Sequence, residues 1–132
     1  MSAADIIPSE LIHLLEEPNF GVLGTIRPDD TVQANPMWFE FDGEVIRFTH
    51  STARQKFKNL QHNPSMSLAV FSPENPYHYV EVRGRLLEIV PDPAGEFYVS
   101  LAHRYGIPDQ QPPADLENRV ILVMSIEHYT TQ

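Results

Sequence analysis

"FGVLGTIRPDDTVQANPMWFEFDGEVIRFTH", residues 20–50, decides how the rest of the chain is read. It reads as three strands, because its apolar residues alternate and turn chemistry breaks the run twice. Arg27 to Asp30 joins the first strand to the second, and Asp42-Gly43 joins the second to the third. An Asp-Gly pair between alternating runs is the strongest short hairpin signal, since glycine accepts the positive φ that such turns need. Pro36 falls inside the second strand. A proline cannot donate to a ladder, so that strand is expected at an edge or at a bulge.

Outward from this meander the period changes. Pro8 and Ser9 precede Leu11, Leu14 and Leu15, which share one helical face, and Pro18 stops that helix. After the meander, Thr52 to Gln55 has the pattern of a capping box, which predicts a helix with Thr52 as N-cap and Asn63-Pro64 as its end. Phe57 and Leu60 would face the core. "SMSLAVF", residues 65–71, reads as a strand with Met66, Leu68 and Val70 inward. "YHYVEVRGRLLEIV", residues 77–90, is a long strand in which Gly84 marks a bulge or a close approach. "AGEFYVSLAHRYG", residues 94–106, is a helix closed by Gly106. "RVILVMSIEHY", residues 119–129, is apolar on both faces, which places it inside the sheet or against a partner chain. The sum is about six strands and three helices, a mainly β chain with peripheral helices in a single domain over residues 1–132. Pattern alone leaves a closed barrel and an open antiparallel sheet both available.

The charge is unevenly spread. Nine Lys and Arg stand against 18 Asp and Glu, a formal net charge of -9. That balance repels phosphate backbones and anionic membranes, so neither nucleic acid nor membrane is expected as a partner. Cysteine is absent, which excludes disulfides and thiolate metal sites and fits a cytoplasmic location. The N-terminal stretch lacks the basic start and cleavage site of a signal peptide. Yet Arg54, Lys56 and Lys58 lie within five residues, and the two lysines are the only ones in the chain. Cations at a helix N-terminus oppose its dipole unless an anion sits there. With the hydroxyls of Ser51 and Thr52 beside them, Arg54 at N2 and Lys56 at N4 suit a phosphate or a carboxylate. The ordinary alternative is a solvated helix face.

Three stretches taken together resemble the pyridoxamine 5'-phosphate oxidase-like split-barrel superfamily, and within it the branch of deazaflavin-dependent oxidoreductases that use coenzyme F420. They are the meander itself, "STARQKFKNLQHNPSMSL" with its R-x-K-x-x-N-L-x-x-N-P pattern, and "NPYHYVEVRGRLLEI". They cover most of residues 19–105 in the family's order. The resemblance implies a six-stranded antiparallel split β-barrel of the FMN-binding type, forming a homodimer with two cofactor sites at the interface. It implies that Arg54 and Lys56 hold the cofactor phosphate, with Ser51 and Thr52 adding contacts. It implies that the segment around Asn35, Pro36, Met37 and Trp38 lies along the flat ring, and that Tyr77 and Tyr79 close over the site from the partner. The activity implied is hydride transfer from reduced F420 to a small unsaturated organic substrate. FMN is the alternative cofactor, and a non-catalytic flavin or haem carrier is the alternative function. Full pyridoxamine phosphate oxidase activity is not expected, because the chain looks too short for that enzyme's C-terminal substrate-binding region.

The residues agree in kind. A flavin-like ligand needs an anion clamp at one end and an apolar shelf at the other, and Trp38, the only tryptophan, stands near the shelf. Its alternative is a core position. Hydride transfer needs positioning more than an acid or a base, so the absence of a G-x-S-x-G elbow fits. The six histidines, at 13, 50, 62, 78, 103 and 128, show no metal-binding spacing, and no metal is expected. His50 would either line the ring pocket or simply end a strand. Arg83 and Arg85 would pair with carboxylates on an exposed face.

Overall fold

The fold is described by a computed structural model over residues 2–132. Among these residues there are three α-helices, α1 (Ser9–Glu16), α2 (Gln55–His62) and α3 (Glu96–Arg104), and two single 3-10 turns. Eight strands make up the rest of the framework: β1 (Gly21–Ile26), β2 (Val32–Met37), β3 (Glu40–Phe41), β4 (Ile46–Ser51), β5 (Ser65–Phe71), β6 (Tyr79–Pro91), β7 (Arg119–Met124) and β8 (His128–Thr130). All pairings are antiparallel. The ladder runs β2-β1-β5-β6-β7-β4-β3, and β8 adds to β6. The thirteen-residue β6 is the pivot, since its first half pairs with β5 and β8 and its second half with β7. The sheet curls around one core without closing, so β2 and β3 are its two ends.

The expected count of six strands is corrected to eight, and both extra breaks have a local cause. The second expected strand stops at Trp38-Phe39. There the Phe39 N–H donates to the Tyr105 hydroxyl, and the Phe39 carbonyl accepts from Arg104, so the ladder loses both groups to α3. The Phe39 side chain meanwhile drops fully into the core. The last expected strand breaks after Met124, because Ser125 and Glu127 donate their N–H groups to the Arg85 and Arg83 carbonyls across β6. The chain can cross there only over a glycine: a Cβ on Gly84 would lie 1.9 Å from the Ser125 carbonyl oxygen. This is the close approach expected of Gly84. Pro36 sits on β2, whose only strand neighbour is β1, as an edge proline should.

The core follows the alternation. Leu23, Phe48, Leu68, Val70, Val80, Val82 and Leu122 are buried inward, and Leu14 and Leu15 of α1 cover them. Arg104 fastens this cover by donating to the Leu15, Glu16 and Glu17 carbonyls at the end of α1. Those carbonyls have no partner within the helix, so the guanidinium acts as a C-terminal cap supplied from α3. Gly106, at φ 84°, ends α3 in a Schellman turn. In it the Ile107 N–H donates to Ala102 at 2.8 Å and the Gly106 N–H to His103 at 3.0 Å. Arg83 and Arg85 pair with Glu81 and Glu127, at 3.6 and 3.3 Å, as expected for an exposed face.

The helix after the meander starts later than its pattern predicts. Thr52 is not the N-cap. Its N–H and hydroxyl both go to Asn118, at 3.0 and 3.3 Å, which ties the loop to the C-terminal connection. Arg54 stays extended and becomes the N-cap, so Lys56 moves from N4 to N2. The Gln55 side chain reaches forward to Asn59 at 2.9 Å instead of back to Thr52.

Candidate functional site

β2, the end of β4, the start of α2, α3 and the start of β7 enclose a cleft of about 360 Å³. Four of the expected ring-segment residues, Asn35, Pro36, Met37 and Trp38, form one wall, and Arg54 and Lys56 lie opposite. The two groups are about twenty positions apart in sequence and meet because the curl of the sheet brings β2 and the chain after β4 to the same cleft. Arg54 is exposed at the rim, whereas Lys56 is only 4% exposed. Lys56 makes no ion pair among the described residues, and its burial sets aside the alternative of a solvated helix face at this position. Burial first, and then the Arg54 charge, push its ammonium below the usual lysine range.

α2 is positioned by a buried amide. Asn59, fully buried, donates to Thr25 on β1 at 3.0 Å and to Gln33 on β2 at 2.9 Å. One side chain thus fixes the helix against the strand pair that carries Asn35 and Met37. No side chain caps the N-terminus of α2, which leaves the N–H groups of its first turn available to a ligand.

Five lining residues lie outside the expected set: Phe20, Thr49, His50, Tyr98 and Arg119. His50 takes the pocket-lining alternative, and at 4% exposure it is buried there. Burial first, then the Lys56, Arg54 and Arg119 charges, pull its imidazole down to about 4, so it is neutral near pH 7. Arg119 is the third cation of the cleft. It donates to Thr49 at 2.6 Å, lies 5.2 Å over the Tyr98 ring and faces Asp115 at 3.8 Å. Its place at a strand start after a proline-rich connection gave no signal of this role. Trp38 is half-buried rather than a core residue, and its ring stacks on Tyr105 at 5.3 Å and 11°.

The remaining expected residues lie off the cleft. Ser51 is buried and occupied: its hydroxyl donates to Asp115, which holds that carboxyl below its usual range, and accepts from Ala53 at 3.3 Å. Ser51 and Thr52 therefore shape the loop that presents Arg54. Tyr77 is 73% exposed in the 72–78 loop, and Tyr79 begins β6; neither lines the cleft of its own chain.

Three buried side-chain atoms lack a hydrogen-bond partner among the described residues: Asn35 Oδ1, His50 Nε2 and Arg119 Nε. All three belong to residues of this one cleft. Buried polar atoms are nearly always paired, so their concentration in one place marks this cleft as the part of the molecule best suited to a polar ligand. An aromatic shelf, unpaired amide and imidazole groups and three cations together fit a flat heterocycle carrying an anionic arm. A second cleft of about 360 Å³ lies between Gly24–Ile26 and Ser65–Ser67. Arg83 is its one Lys or Arg, and none of the three unpaired buried atoms lines it, so it offers no comparable demand for a ligand.

The sequence profile of the pyridoxamine 5'-phosphate oxidase family matches residues 7–132. The chain belongs to that family. No curated protein matches it. Among solved structures it is similar to an F420 reductase, with 50% identity, a TM-score of 0.92, and coverage of 96% of this chain and 100% of that one. It is also similar to a conserved hypothetical protein of Mycobacterium tuberculosis, at 25% identity and TM-score 0.70 over 96% and 85% of the two chains. General Stress Protein 26 of Bacillus anthracis shares the fold, at 19% identity and TM-score 0.67 over 91% and 88%. Family and relatives make an oxidoreductase with a flavin-type or deazaflavin cofactor the coarse assignment. No helix among the described residues is long and apolar enough to cross a membrane.

Proposed function

We propose that this protein binds reduced coenzyme F420 in the cleft and transfers its hydride to a small unsaturated organic molecule. The observation that carries the proposal is the gathering, among the described residues, of the three unpartnered buried side-chain atoms and three cations in one aromatic-walled cleft. The half-identical F420 reductase supports the choice of cofactor. Arg54, Lys56 and the free N–H groups of α2 hold the anionic arm. Asn35 and the neutral His50 meet the polar edge of the ring, and Trp38 and Met37 cover its apolar part. When bound, the reduced cofactor supplies the hydride. The residues of the cleft orient its ring, exclude water and leave one face open to substrate.

The functional unit in this reading is a cytoplasmic homodimer of single-domain chains, with Tyr77 and Tyr79 closing over the partner's cleft. Leu87 and Ile89, 53% and 38% exposed on β6, leave apolar surface for a second copy to cover. FMN is the second reading, favoured by the family itself, since an anion clamp serves either cofactor. A fluorescence titration comparing reduced and oxidised F420 with FMN separates them. Tighter binding of F420, followed by substrate-dependent oxidation of the reduced form, is expected. Tight FMN binding with no F420 binding would replace the proposal, and binding without turnover on any unsaturated acceptor would favour a carrier.

A further inference from the structure

One pair of side chains outside the cleft has no part in this chemistry. His13 lies on α1 and His78 closes the 72–78 loop, 65 positions later, yet their Nε2 atoms are 3.1 Å apart. The ring centroids are 5.2 Å apart, so the two nitrogens face each other head to head. The other nitrogen of His13, Nδ1, stands 3.5 Å from Glu17 Oε1, one turn further along α1. A carboxylate on the Nδ1 side of the ring leaves Nε2 turned toward His78, the arrangement by which ligating histidines are oriented in metal sites. His78 is held through its backbone, its carbonyl accepting from Ser72 at 2.9 Å and its N–H donating to Asn75 at 3.0 Å. Two imidazoles on one tetrahedral ion, with bonds of about 2.0–2.1 Å, place their nitrogens roughly 3.3 Å apart. The observed separation is close to that bite. The side chains of His13 and Glu17 are 45% and 55% exposed, so water reaches the pair and can fill the remaining positions.

We propose that His13 and His78 form a two-histidine site for a divalent transition-metal ion such as Zn²⁺, with Glu17 orienting His13 and water completing the shell. No group of three or more His, Cys, Asp or Glu among the described residues is placed for a metal, so this site relies on solvent for half of its ligands. A bound ion would tie α1 to the loop ahead of β6 and would stabilise the folded chain by linkage.

Untagged protein, stripped with a chelator, is titrated with Zn²⁺ and followed by thermal melting. Co²⁺ serves as a visible-absorption probe of imidazole ligation. Zn²⁺ is expected to raise the melting temperature by several degrees. His13→Gln and His78→Gln should each abolish that shift, while His62→Gln should keep it. Glu17→Gln should weaken Zn²⁺ binding about tenfold. The proposal is overturned if excess Zn²⁺ leaves the wild-type melt unchanged. It is equally overturned if both histidine variants keep the shift, or if His62→Gln loses it. Should a variant fail to fold, the wild-type Co²⁺ spectrum decides instead: absence of an imidazole-ligated band overturns the site and leaves a plain hydrogen-bonded pair.

Discussion

Lys56 carries the sharpest tension in the molecule. A buried ammonium without a carboxylate is costly to desolvate, and Arg54 adds repulsion. In the unliganded protein it is therefore a source of instability that a bound anion relieves. Replacing Arg54 by Ala together with Lys56 by Met should weaken cofactor binding by about 2–5 kcal/mol, a typical range for partly buried charge-assisted contacts. The unliganded melting temperature should stay level or rise, and a loss of stability comparable to the loss of affinity would contradict the site. His50 makes a second test through pH. Its folded value, about 4, lies below the ordinary 6.5, so the unfolded chain takes up the proton first as pH falls. Stability that is full above pH 6.5 should decline between 6.5 and 4, by an amount on the order of 3 kcal/mol. His50→Gln should flatten urea-denaturation stability over that window. Asp42 gives a separate acid limb. Burial opposes its ionisation, but the Val45 and Glu44 N–H groups and Arg47 outweigh it and hold the carboxyl at about 2. Its contribution is present above 3.8 and is lost only as pH falls toward 2. At this scale the sequence showed Arg54, Lys56 and the Asn35–Trp38 wall because their motif is local. It left His50 between two readings and gave no signal of Arg119, whose place in the cleft exists only where separate strands meet.

α2 shows what a local pattern can and cannot give. Its existence, its end before Asn63-Pro64 and the inward Leu60 were legible, whereas its start was not. The capping box was not a cap, because Asn118 offered Thr52 better partners than the helix did. The correction separates two substitutions. Thr52→Ala should cost well under the ~1 kcal/mol of a lost N-cap. Asn59→Ala should cost about 1–3 kcal/mol, since Thr25 and Gln33 would be left with unmet hydrogen-bonding groups. Chemical denaturation of the two variants measures the contrast, and equal losses would restore Thr52 as the cap. Asn59→Ala should also weaken cofactor binding without touching the ligand, because α2 would no longer be fixed to β1 and β2.

At the level of the whole molecule, the antiparallel hairpins around Arg27–Asp30 and Asp42-Gly43 and the apolar β7 were readable, but the parting of β2 from β3 and β4 to opposite ends of the ladder was not. Nor was the choice of an open ladder, and Gly84 signalled a close approach without naming Ser125 as its partner, since both are decided by contacts between distant segments. If the proposed dimer forms, light scattering should report about twice the 15.1 kDa chain mass, with one cofactor bound per chain. Leu87→Asp should shift that mass toward the monomer, and a wild-type monomer that binds cofactor at full stoichiometry would remove the partner from the site.

One end strand of the ladder and the strand next to its other end meet the cleft in a particular way. Asn35 stands on the terminal strand β2 and His50 on β4, and no backbone bond joins those strands. A flat ligand gripped by both would bridge a gap that the polypeptide leaves unstitched, becoming a rung of the wall it lies in. Amide exchange in β2 and β4 should then slow together on loading, and the two halves of the curl would fluctuate as one body instead of two hinged on β6.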